Sequence, residues 1–155
     1  MRNVTRLLGE YGESHQNETN KLIHWICVPA IFFSITGLFY SIKLPFHLNE
    51  NLHLNVAMII LLLAVIYYFT LSVSLGLGMF LFGFLCLALC YFIETHFPIS
   101  LWLLSLIVFV AAWIGQFYGH KVEGKKPSFL KDIQFLLIGP MWLMSFMYRK
   151  LGITY

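Results

Sequence analysis

NLHLNVAMIILLLAVIYYFTLSVSLGLGMFLFGFLCLALCYFI, from Asn51 to Ile93, contains no Asp, Glu, Lys or Arg. A bilayer core of ~30 Å takes roughly 20 apolar residues per helix, so this run is long enough for two passes. Ser72, Ser74, Gly76 and Gly78 fall near its middle and mark a tight reversal between them. Thr95 to Gly119 is equally free of those charges and supplies another pass, and the apolar stretch Leu22 to Ile42 supplies one more. The chain therefore predicts an all-α, polytopic membrane helical bundle with about four spans: Leu22–Ile42, Asn55–Val73, Leu75–Ile93 and Ile99–Tyr118. Helices are expected because a span in lipid must satisfy its backbone hydrogen bonds internally. Composition agrees. The chain is 59% hydrophobic and 11% charged, whereas soluble domains are about half apolar and about a quarter charged. A single integral membrane domain over residues 1–155 follows.

Outward from the spans, Val4, Leu7, Leu8 and Tyr11 stand at helical spacing among Arg2, Arg6 and Glu10. That pattern predicts a short N-terminal amphipathic helix lying on the membrane surface. The first 20 residues lack an apolar core with a small-residue cleavage site, so the first span is expected to act as its own insertion signal. The connection Lys43 to Leu54 reads as a loop. Near the C-terminus, Ile133 to Tyr148 is apolar but carries Gly139-Pro140 near its middle. Because Pro interrupts an ordinary helix, this segment is expected to be a re-entrant or interfacial helix pair.

Basic residues set the orientation. Arg2, Arg6 and Lys21 flank the start, and Lys121, Lys125, Lys126, Lys131, Arg149 and Lys150 follow the fourth span. The far-side loops offer only Lys43 as a Lys or Arg, so both termini are expected to be cytoplasmic, in a bacterial inner membrane or the endoplasmic reticulum. A net charge of +3 carried beside membrane ends needs no nucleic acid to explain it. Cys27, Cys86 and Cys90 lie within apolar spans and read as small packed hydrophobes.

Six histidines carry the chemical interest. With four spans, His15, His24 and His120 fall at one membrane face, beside Asn17, Asn20, Gln116 and Glu123. Imidazole is a ligand suited to iron, copper or zinc. Glu123 follows His120 by three residues, so a continuing helix projects both from one face. A few histidines with a carboxylate and open positions is how non-haem Fe(II) oxygenases are built. The plain alternative is a set of interfacial histidines without a metal. His96 and Glu94 fall at the opposite face, and His47 and His53 in the far-side loop, where they read as ordinary loop residues.

Two longer motifs carry a resemblance. HQNETNKLIHWICVP, His15 to Pro29, fits the pattern H-x-N-x-x-N-x-x-I-H-x-x-x-V-P, and WIGQFYGH, Trp113 to His120, fits W-x-x-Q-F-x-G-H. VEGKKPSFLKD and then Gly139-Pro140 follow, close to E-x-x-x-P and a late A-P. In order and separation the chain resembles the Mpo-type 2-hydroxy-fatty-acid dioxygenase family of small membrane proteins, over nearly its whole length. The resemblance implies Fe(II)- and O2-dependent alpha-oxidation of a 2-hydroxy fatty acid to a fatty acid one carbon shorter. It implies His15, His24 and His120 as metal ligands. Glu123 departs from the family pattern, which has its acidic residue four positions after the histidine. That leaves Glu123 as a ligand, a partner that orients a histidine, or neither. Under this reading Lys121, Lys125 and Lys126 steer or clamp the substrate carboxylate, or serve only as topology residues. Two other readings compete: a membrane protein binding haem or a metal for electron transfer, and a structural protein without chemistry.

Overall fold

A computed structural model describes residues 4–50, 52–127 and 134–155. Arg2, Lys131 and the first residue of the expected C-terminal segment, Ile133, lie outside the described residues. In chain order the elements are α1 (Val4–Gly12), α2 (Glu18–Tyr40), β1 (Lys43–Asn49), β2 (Leu52–Asn55), α3 (Val56–Leu71), α4 (Val73–His96), α5 (Leu101–Glu123) and α6 (Phe135–Lys150). Three of them, α2, α4 and α5, are long and apolar enough to cross a membrane; α3 is apolar but shorter, at 16 residues. The lipid-facing character is written on their outer surfaces, where Leu62, Leu81, Phe84, Leu85, Ile107 and Ile114 are all exposed. Such a belt of large apolar side chains is stable only against a nonpolar solvent.

Local sequence explains where the helices start and stop. The Asn17 side chain caps α2 by accepting from the backbone N–H groups of Thr19 and Asn20 at 2.9 and 3.3 Å. Ser72 ends α3 and caps α4 through its hydroxyl and the Leu75 N–H, so the chain reverses on one residue. Gly124 ends α5 in the left-handed conformation that only glycine adopts cheaply, with φ 72°.

Among the described helices, α2 and α5 share the most extensive interface. Small residues make it possible. A Cβ at Gly115 would sit 2.7 Å from the Cys27 sulfur, and one at Gly119 would collide with the Asn20 side-chain oxygen. Backbones that approach this closely gain dispersion contacts in lipid, where burial of apolar surface drives little.

Three expectations are corrected. The bundle is helical apart from one connection: Lys43 to Leu54, expected as a loop, belongs to an antiparallel hairpin of β1 and β2 that pairs Lys43 with Asn55 and His47 with His53. The alternation of Leu44, Phe46 and Leu48 with Lys43, Pro45, His47 and Asn49 is a strand pattern hidden in a segment short enough to read as loop. Second, the apolar stripe of α1 is buried, and it packs on α6 within one core that includes Leu7, Tyr11, Ile138 and Trp142. That packing takes the stripe out of water, which is worth about 1.5–3 kcal/mol for each fully buried side chain. Third, α6 is one helix and runs through Pro140. Proline stands early in it, so a single backbone hydrogen bond is lost, and Gly139 lets the Tyr11 hydroxyl approach to where a Cβ would meet it at 2.9 Å.

Candidate metal centre

Four elements meet at one end of the bundle: the end of α1 with the turn after it, the start of α2, the end of α5, and α6. His15 lies in that turn, His24 in the second turn of α2, and His120 near the end of α5. All three are buried, at 1%, 0% and 4% exposure. Their ring centroids lie 4.2 Å apart for His15–His24, 5.0 Å for His15–His120 and 4.9 Å for His24–His120. The beginning and the later part of the chain have been brought to one point.

The rings are held by backbone carbonyls. The Nδ1–H of His15 donates to the Tyr11 carbonyl at 2.7 Å, and that of His24 to the Asn20 carbonyl at 2.8 Å. A carbonyl only accepts, so each bond puts the proton on Nδ1 and leaves the Nε2 lone pair free. The His120 ring meets the carbonyl of Lys125. The remaining nitrogens, His15 Nε2, His24 Nε2 and His120 Nδ1, are buried without a hydrogen-bond partner. Leaving a buried polar atom unpaired costs about 1–3 kcal/mol. One nitrogen from each of the three rings lies within 4.8 Å of the others, a spacing that fits one cation, and each ring has a nitrogen free to bind it. Burial pushes the His15 imidazole down to about 4, against the opposing pull of the Tyr11 carbonyl, so the ring is neutral at pH 7 as a ligand must be.

Glu123 lies outside this triangle. One carboxylate oxygen accepts from the Gln16 N–H at 2.9 Å, and the other from the Asn17 N–H at 2.8 Å and the Asn20 side-chain amide at 3.2 Å. It staples the end of α5 to the loop that carries His15, and its charge meets the positive end of the α2 dipole. Of the three lysines, Lys125 donates to the Glu13 carbonyl at 2.6 Å and reinforces that staple, while Lys121 and Lys126 are exposed beside it.

Some of the centre has no counterpart in the expectations. Tyr11 stacks on His15 with ring centroids 4.3 Å apart and planes 11° from parallel, and Trp142 of α6 lies 5.2 Å from the same ring. Tyr11 belonged to a visible apolar stripe. Nothing in the sequence linked Trp142 to residue 15, since that contact depends on α6 folding back over α1. Asn20, fully buried, is the busiest of the polar neighbours: its amide holds Ser14 and Glu123 while its backbone holds His24.

A cavity of about 450 Å³ runs from the centre into the bundle. At the centre it is bounded by Tyr11, His120 and Gln116, and beyond them by Val28 to Phe39 of α2 and by Tyr67 back to Ala57 of α3. The eleven helical steps from Val28 to Phe39 along one wall make it ~16 Å long. Its walls are overwhelmingly apolar, so it suits an unbranched hydrocarbon with a polar end at the histidines. His96 lies at the other end of α4, exposed, with its Nδ1 engaged by the Thr95 hydroxyl, and His47 and His53 face each other on the hairpin.

A family model described as 2-hydroxy-palmitic acid dioxygenase Mpo1-like matches residues 1–151. A relative from Saccharomyces cerevisiae, named 2-hydroxy-palmitic acid dioxygenase MPO1, is 31% identical over 147 residues, which cover 94% of this chain and 79% of the relative. No solved structure matches.

Proposed function

Since the chain belongs to the 2-hydroxy-palmitic acid dioxygenase Mpo1-like family, we propose that it is a membrane-bound, Fe(II)-dependent dioxygenase that shortens 2-hydroxy fatty acids by one carbon. The observation that carries this reading is the cluster of three buried imidazoles, each with an unpartnered nitrogen, at the polar end of an apolar cavity. His15, His24 and His120 would hold the metal, and three protein ligands leave positions open for substrate and oxygen. Fe(II) bound there would supply the redox chemistry for the overall change, in which O2 oxidises the hydroxyl-bearing carbon to a carboxylic acid and the former carboxyl carbon leaves as carbon dioxide, with water formed.

The remaining work falls to the chain itself. The carbonyls of Tyr11 and Asn20 keep two ring protons on Nδ1, so the opposite nitrogens stay available. Glu123 acts as a positioning residue, holding the His15 loop against α5 rather than binding metal. The cavity takes the acyl chain and excludes water from the histidines. Lys121 and Lys126, exposed at the same end, draw the substrate carboxylate toward it. Lys126→Met is expected to raise KM for the hydroxy acid more than it lowers kcat; an unchanged KM removes that role.

The haem alternative finds less support. Centroids of 4.2–5.0 Å place the rings closer than two imidazoles gripping opposite faces of a macrocycle. The decisive test is anaerobic loading with Fe(II), then addition of oxygen and 2-hydroxypalmitate. The odd-chain acid one carbon shorter should accumulate, and its absence from fully iron-loaded protein would overturn the assignment.

A further inference from the structure

Gln116 stands one turn before His120 on α5 and lines the same cavity. Four residues along a helix place it ~6 Å further into the cavity, on the same face. It is 5% exposed, and its carboxamide makes no hydrogen bond to any described residue. Its polar neighbours along the cavity are differently placed. The Thr36 hydroxyl donates to the Phe32 carbonyl at 2.9 Å, and the Tyr67 hydroxyl accepts from Gln134. A buried amide that offers two N–H donors and a carbonyl acceptor into an apolar space is costly unless something fills it.

The occupant must bring oxygen atoms to a point just inside the histidine triangle and continue as hydrocarbon. Resting on the reading of the cavity as an acyl site, we propose that Gln116 binds the oxygen-bearing head of a 2-hydroxy acid and selects it over a plain fatty acid. The amide suits both oxygens of that head. Its N–H groups donate to the carboxylate, and its carbonyl accepts the hydroxyl proton. Being neutral at every pH, it does not repel the acid as Glu would, nor trap it as Lys would. A plain fatty acid leaves the amide carbonyl unpaired and desolvated. That penalty is how a polar pocket rejects an analogue lacking one hydroxyl.

Purified protein, kept free of oxygen so that nothing turns over, is titrated with 2-hydroxypalmitate and with palmitate. The natural protein should prefer the hydroxy acid by on the order of 10–100-fold, the worth of one or two desolvated hydrogen bonds. Gln116→Leu should abolish that preference and leave palmitate binding equal or tighter, with metal content unchanged. Gln116→Glu, close to isosteric, should weaken both acids. Absence of preference in the natural protein, or a preference that survives Gln116→Leu, overturns the assignment. The outcome is separable from the oxidative reading: a binding preference without shortened product would sink the reaction and leave Gln116 its role.

Discussion

Two ends of this molecule each bring histidine rings together, and they do it in opposite ways. At the α1–α2–α5–α6 end, His15 and His24 lie 4.2 Å apart, buried, with their ring protons fixed by carbonyls and a third imidazole close by. At the hairpin end, His47 and His53 lie even closer, 4.0 Å, as a cross-strand pair near solvent with no third ring grouped with them among the described residues. Ring separation alone therefore says little. What separates the two is burial, a fixed tautomer and nitrogens left without any other partner. An exposed imidazole has water as a partner and loses nothing by staying as it is.

The contrast is broken most directly by removing one ring from each end. His120→Ala should cost essentially all bound metal and all turnover, measured by elemental analysis and product formation, while His53→Ala leaves both intact. Stoichiometric metal in His120→Ala would erase the distinction. A second variant asks whether the support around the rings matters. Glu123→Ala cuts the staple between α5 and the His15 loop and should weaken metal affinity about 10–100-fold in a chelator competition. An affinity equal to that of the natural protein would mean the loop holds its shape unaided.

The cavity joining the two ends gives a smaller effect. Ala57 and Phe39 line its far limit, near the hairpin. Ala57→Leu should shift turnover toward shorter acyl chains and Phe39→Ala toward longer ones, each by roughly fourfold per methylene, the equivalent of about 0.8 kcal/mol. Parallel shifts in the two variants, read from a chain-length series, would place the acyl terminus elsewhere. The smallest effect belongs to the hairpin itself. His47→Ala should move thermal stability by no more than about 0.5 kcal/mol, as for other exposed positions; a larger loss would show that this pair has a task of its own.

Sequence patterning reached the bundle and the convergence of its histidines through two simple facts. Charge-free runs set the helices, and the expected even number of passes would return residue 120 to the level of residue 15. What stayed hidden depends on tertiary packing. The stripe Val4, Leu7, Leu8 and Tyr11 announces a buried face without saying that α6 buries it. Pro140 looked like a break because its cost depends on position within a helix whose start was not visible. Glu123 reads in the sequence as a ligand, a partner that orients a histidine, or neither, because it shares a helix face with His120. Only the folded chain reveals two backbone N–H groups competing for its oxygens. Gln116 was visible as a polar residue in apolar sequence, but not as the wall of a cavity.

The Glu123 staple also has a history in time. It links backbone positions 107 residues apart, so on the ribosome α1 and α2 exist long before α5 can receive them. Contacts this distant in sequence form late. The loop bearing His15 must wait for this anchor until the end of α5 has been synthesised. A chain that stops before α5 would carry two of the three imidazoles and neither the third nor the anchor. Assembly of the histidine cluster is thereby coupled to synthesis of α5.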